Sequence, residues 1–210
     1  MSDRNTPPLL YIKNLQLQVG AHTWHHHLQV LPGELVVIMG ASGSGKTSLL
    51  EALAGFLPIQ SGSILVEGQA VEQLPPEQRP MSLLFQQQNF FEHLSVTENL
   101  KLGFPKAKPN VAQWQAVQDA CQLLQVDGLL QRLPSELSGG QKQRLALIRT
   151  VLRPQPVVLL DEPFSALDDA MRQTAGQWLK KTLQNTGQVA LLVTHRQEDA
   201  DVLADQLLMI

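Results

Sequence analysis

Cysteine is nearly absent: the single Cys121 has no partner for an internal disulfide, which fits a reducing compartment. It falls in an apolar-periodic stretch, so a buried thiol is expected there rather than a reactive one. Long hydrophobic runs are missing too. No stretch approaches the roughly 18–20 apolar residues of a membrane span. The opening MSDRNTPP is polar and lacks the apolar core of a signal peptide. The chain is therefore expected to be neither secreted nor membrane-spanning, and any work at a membrane would be done by docking. Basic clusters are also lacking, and the formal charge is only −3. That argues against nucleic acid as the main partner, because phosphate-backbone binding needs a concentrated basic face. What remains is an ordinary globular composition with enough length, 210 residues, for one substantial α/β domain.

Neither an internal repeat nor a low-complexity linker interrupts the chain. Residues 34–39 read as a strand rich in Val and Ile, followed by a glycine-rich segment and a helix over about 46–56. Short strands are predicted at 63–67 and 81–85. From about 88 to 136 the pattern turns helical: Ser95-Val96-Thr97-Glu98 has capping-box form, and 114–126 carries a helical apolar stripe. Beyond Ser138 the alternation resumes, with a helix at about 141–152, a strand at 156–160, a helix at about 169–185 and a strand at 188–194. Strands alternating with helices imply a parallel sheet covered on both faces, with the middle segment as an inserted helical lobe.

Two constellations carry chemistry. Gly40-Ala41-Ser42-Gly43-Ser44-Gly45-Lys46-Thr47 fits GxxxxGK[ST], placed between a strand and a helix as that mechanism requires. The glycines let backbone N–H groups turn inward toward phosphate oxygens. Lys46 adds a cation, the Thr47 hydroxyl suits Mg²⁺, and the helix start adds its positive end. Four fixed positions match by accident in roughly 1% of chains this long. The second is Leu137-Ser138-Gly139-Gly140-Gln141, which in isolation is a helix cap with two flexible glycines. Downstream, Val157-Val158-Leu159-Leu160 ends in the carboxylates Asp161 and Glu162, an arrangement that carries metal chemistry in P-loop proteins.

In this order the motifs resemble the ABC ATPase family over nearly the whole chain. Phe85-Gln86 resembles its glutamine loop, Ser165-Ala166-Leu167-Asp168 its D-loop and Thr194-His195 its switch histidine. The spacing from Gln86 to His93-Leu94-Ser95-Val96-Thr97-Glu98-Asn99 looks like importer subunits, and residues 21–27 are loosely similar to thiamine-type importers. The resemblance implies a P-loop NTPase with a mostly parallel sheet flanked by helices, an N-terminal β region and an inserted helical lobe. It would be one domain over 1–210, with 1–87 and 139–210 as the core and about 88–138 as the lobe.

It also implies ATP and Mg²⁺. Gly40, Ala41, Ser42, Gly43, Ser44, Gly45, Lys46, Thr47 and Ser48 would cradle the nucleotide, and Thr47, Gln86 and Asp161 would serve the metal. Glu162 would polarise the attacking water, with His195, Gln86 and Lys46 at the γ-phosphate. Ser138 and Gly140 would serve the ATP of a second, head-to-tail ATPase subunit, and Asp168 would lie at that interface. The remaining implied partners are membrane permease subunits and a solute-binding protein, with the chain peripheral on the inner face of the membrane. One departure stands out: the family's adenine-stacking aromatic aligns with Val19. Tyr11 and Trp24 are nearby, and neither is in register. The run His25-His26-His27 puts two imidazoles on one strand face without a Cys or carboxylate companion nearby in sequence, which favours a solvated strand over a metal site. Phe90 and Phe91 are unusually apolar for a loop and are expected either to line a groove for a permease helix or to join the local core.

Overall fold

The computed structural model describes residues 6–20, 22–85 and 90–210. In chain order it forms β1 (Leu10–Val19), β2 (His22–Val30), β3 (Leu35–Met39), α1 (Lys46–Ala54), β4 (Ser61–Val66), β5 (Gln69–Ala70) and β6 (Met81–Leu84). Next come α2 (Val96–Lys101), α3 (Val111–Leu123), α4 (Gly139–Val151), β7 (Val157–Asp161), α5 (Asp169–Thr186), β8 (Val189–Val193), α6 (Gln197–Leu203) and β9 (Gln206–Met209). Two sheets result: an antiparallel one in the order β2-β1-β4-β5 and a five-stranded parallel one in the order β6-β7-β8-β3-β9.

The strands β3, β7 and β8 are buried along their whole length because both faces of the parallel sheet are covered. Successive side chains alternate between two cores. Val36, Ile38, Val157, Leu159, Leu191 and Val193 meet α1 and the antiparallel sheet. Their neighbours Val37, Met39, Val158, Leu160, Ala190 and Leu192 meet α4 and α5. The residues Val96, Leu100, Val117, Ala120 and Cys121 of α2 and α3 pack into this second core, so the helical segment shares its interior with the sheet. Burial pushes the Cys121 thiol up to about 12, in line with the inert buried cysteine expected from the sequence.

Local chemistry sets the helix starts. Ser95 caps α2 with Glu98 bonding back to the Ser95 N–H at 2.8 Å, and Ser138 caps α4 in a reciprocal box with Gln141. The α4 helix therefore begins at Gly139, two residues before the position expected from the sequence, because the cap draws both glycines into the first turn. Asp168, expected at a subunit interface, is the N-cap of α5 and accepts from the Met171 N–H at 2.9 Å.

Candidate active site

The phosphate loop runs from the end of β3 into α1, and Gly45 is the helix N-cap with no side-chain cap bond. Glycine is demanded there twice over. Its φ of +96° is disfavoured for L side chains, and a Cβ would come within 2.7 Å of the Trp24 indole. The Lys46 ammonium lies folded into the loop. It donates to the Gly40 carbonyl at 3.0 Å and the Ala41 carbonyl at 2.7 Å, with Ser44 Oγ at 3.5 Å. Those carbonyls hold the cation in the cradle, beside the start of α1, where a helix leaves its first N–H groups without intrahelical partners.

The parity of β7 brings the acidic end of that strand to the loop. Val157 and Leu159 face α1, and Asp161 is the next residue in that phase. The Thr47 hydroxyl donates to Asp161 Oδ2 at 2.8 Å. Burial pushes the Asp161 carboxyl up from its ordinary value, the charge of Glu162 adds to this, and the Thr47 hydrogen bond and Lys46 oppose it. A buried carboxylate next to a hydroxyl is a hard oxygen pair of the kind Mg²⁺ takes, and a cation there would relieve the cost of the charge.

Glu162 leaves the strand. Its N–H still bonds the Val193 carbonyl at 3.0 Å, but its φ is +48°, a conformation that costs a non-glycine residue on the order of 1 kcal/mol or more. This turn, rather than strand alternation alone, swings its carboxylate away from Asp161 to His195, whose Nε2 lies 2.8 Å from Glu162 Oε1. The His195 segment is braced from behind. Thr194 Oγ1 donates to the buried Asp199 at 2.7 Å, and Arg172 donates to Asp199 at 3.2 Å and to the Phe164 carbonyl at 2.8 Å. A cavity of about 430 Å³ opens against Glu162, Ser165, Asp169, Arg172 and His195.

Ser138 and Gly139 are exposed at the N-terminus of α4, presenting a helix start free of bulky side chains to solvent. Gln86 lies outside the described residues. Trp24 stacks on His22 at 5.8 Å between ring centroids, and its indole lies against Gly45 of the phosphate loop. Val19 pairs across the strands with His22 and is exposed, while Tyr11 sits edge-on to His27. In the histidine run, His26 is buried and His27 lies 3.1 Å from Asn14 Oδ1. The two phenylalanines part ways. Phe90 packs on the core beneath the Arg149 guanidinium, and Phe91 is exposed beside a cavity of about 250 Å³ shared with Phe85 and Leu102.

The model of the family described as ABC transporter matches residues 25–165. The chain belongs to that family. It is an ATP-binding subunit of an ABC transporter, an ATPase whose turnover drives transport. Among curated relatives of this ABC subunit, a thiamine import ATP-binding protein ThiQ of Jannaschia sp. (strain CCS1) is 42% identical, covering 96% of this chain and 89% of the relative. ThiQ of Vibrio cholerae is 46% identical over 89% of this chain and 79% of its own length. The solved ATP-binding subunit of an ABC transporter superposes with a TM-score of 0.86 at 22% identity, covering 96% of this chain and 85% of that one. An ABC cassette in its ADP conformation gives 0.81 at 21% identity, with coverage of 98% and 88%. These last two likenesses speak for the fold.

Sequence reasoning passed over two residues that organise this ABC site, Gln143 and Arg172. The signal for Gln143 was present: it shares the buried stripe of α4 with Ala146, Leu147 and Thr150 at helical spacing.

Proposed function

We propose that this chain is the motor of a thiamine importer, binding Mg-ATP between two head-to-tail copies on the inner face of the membrane. A permease pair and a solute-binding protein complete the system. The observation that carries this reading is the convergence of Lys46, Thr47, Asp161, Glu162 and His195 from separate elements at one end of the parallel sheet. The substrate follows the relatives at 42–46% identity, which are thiamine import proteins by name. Among the described residues no helix is long and apolar enough to cross a membrane, so the membrane partner is a separate chain in this reading.

Lys46 leaves its loop carbonyls to meet the β- and γ-phosphates, and the N–H groups of Gly43–Ser48 take the remaining oxygens. Thr47 and Asp161, with Gln86, would hold Mg²⁺, which neutralises phosphate charge when bound. Glu162 orients the attacking water and takes up its proton as the bond to the γ-phosphorus forms and the bond to the ADP oxygen breaks. His195 steadies Glu162 and faces the γ-phosphate. Ser138 and Gly140 close the site from the second copy. Trp24, against the loop and stacked on His22, offers adenine an aromatic surface in place of Val19. Phe91 and its cavity receive a short permease helix, and Phe90 anchors that loop to the core.

The deciding experiment removes the chain from its host and measures uptake of labelled thiamine. Uptake should be lost, return with the wild-type chain and not return with Glu162→Gln. Undiminished uptake after deletion would reject the substrate.

A further inference from the structure

Gln143 sits one turn into α4, five residues beyond Ser138, and is only 4% exposed. Its amide is fully used on a single turn of chain. Nε2 donates to the Glu162 carbonyl at 3.1 Å and to Ser165 Oγ at 2.9 Å, while Oε1 accepts from the Ala166 N–H at 2.7 Å. The helix backbone approaches the same turn: a Cβ on Gly140 would come within 2.9 Å of the Ala166 carbonyl. Among the described residues the Glu162 carbonyl otherwise takes a long bond from the Ser165 N–H at 3.3 Å, and its residue holds a φ of +48°. A strained conformation persists only when its surroundings over-determine it, and Gln143 supplies both a donor and an acceptor for that purpose.

We infer that Gln143 is a positioning residue that ties the start of α4 to the Glu162 carboxylate of the same subunit. The inference rests on the reading of Ser138 and Gly140 as ligands of the second copy's nucleotide. Each subunit then offers one rigid piece with two ends. One end, Ser138–Gly140, is seated by the partner's γ-phosphate. The other, Glu162, acts on the subunit's own nucleotide. Seating at one site aligns the carboxylate at the other, and Gln143 is the linking side chain. No reacting atom touches it, so its loss should slow turnover without weakening nucleotide binding.

The test uses the full chain with Gln143→Leu, which keeps the bulk and removes every polar contact, and Ser165→Ala at an exposed position, which removes one acceptor. Steady-state ATPase kinetics, ATP binding by direct titration and thermal denaturation are measured for each and for the double variant. Gln143→Leu should lower kcat by about tenfold or more while KM and ATP affinity stay within about twofold. Ser165→Ala should lower kcat by a smaller factor, and the double variant should be no slower than Gln143→Leu, as expected for two ends of one contact. Wild-type kcat in either single variant, a matching loss of ATP affinity, or additive effects would overturn the inference. If Gln143→Leu fails to fold, Ser165→Ala decides by its kcat alone. Glu162→Gln, assayed alongside, separates the two levels. An active Glu162→Gln rejects the site reading itself, whereas an inactive one beside wild-type turnover in Ser165→Ala and Gln143→Leu rejects only the link.

Discussion

Thr47 and Asp161, 114 residues apart in sequence, meet through a 2.8 Å hydrogen bond between the first turn of α1 and the last residue of β7. The contact follows from strand parity, since Asp161 shares its phase with Val157 and Leu159 on the α1 side of the sheet. Replacing Asp161 with Asn keeps an oxygen acceptor for Thr47 and removes a charge that burial disfavours. The nucleotide-free protein should then melt no lower than wild type. ATP at about 100 times its Kd should stabilise the wild type by about 2.7 kcal/mol. Chelating Mg²⁺ should shrink that gain in wild type and leave it unchanged in Asp161→Asn. Thermal denaturation with ATP, with and without chelator, reads this directly; equal chelator sensitivity would remove Asp161 from the metal.

Glu162→Gln tests the chemistry separately from the metal. The amide preserves shape and can still meet His195 at the observed 2.8 Å, but it is no base for water. ATP should bind as in wild type, hydrolysis should fall about 100-fold or more, and an ATP-bound dimer should accumulate. Near-normal turnover would move the catalytic role elsewhere.

Sequence patterns reveal what is local, and here the local signals were strong. The buried runs of β3, β7 and β8 announce a sheet covered on both faces, and Ser95 and Ser138 announce helix starts through their partners Glu98 and Gln141. Long-range register was harder to read. Trp24 reaches Gly45 because β2 pairs with a bulged β1, where the register shifts between Ile12 and Leu15 and Asn14 takes a φ of +48°. No spacing rule along one strand exposes that shift. The turn at Glu162 was hidden for a related reason, since alternation along a strand says nothing of where the strand stops. Gln143 carried two opposed signals: its spacing from Ala146 and Thr150 puts it on the buried stripe of α4, while within Gln141-Lys142-Gln143-Arg144 a glutamine reads as solvated surface. Its amide is in fact buried and satisfied.

Arg79 makes a stability prediction away from the chemistry. Its buried guanidinium donates to the Ala52 and Leu53 carbonyls at the end of α1, at 2.7 and 2.6 Å, and to those of Glu72 and Leu74 at 2.7 and 3.0 Å. It serves in place of a basic residue in the last helical turn, which α1 lacks. Arg79→Ala removes a donor from each of these carbonyls, of which Ala52 keeps the Gly55 N–H at 3.2 Å, and should cost about 3 kcal/mol of unfolding free energy in a denaturant titration. A cost below about 0.5 kcal/mol, the level of an ordinary surface change, would show that water replaces the guanidinium.

The shared site makes its own demand on concentration. If Ser138 serves a partner's nucleotide, an isolated subunit has no complete active site, and specific ATPase activity must fall on dilution. Ser138→Arg tests the geometry behind this. Ser138 is exposed at the α4 N-terminus, and its hydroxyl accepts from the Gln141 N–H at 3.3 Å, so removing the cap should cost only about 1 kcal/mol. The new side chain places a bulky cation where helix N–H groups should meet phosphate. ATP should therefore bind the variant's own phosphate loop with unchanged affinity in a direct titration, while turnover is lost. Light scattering with ATP should report a dimer for Glu162→Gln and a monomer for Ser138→Arg. Wild-type activity per subunit that stays flat on dilution, with a monomer confirmed by scattering in ATP, would mean that each subunit hydrolyses alone and that Ser138 is no more than a helix cap.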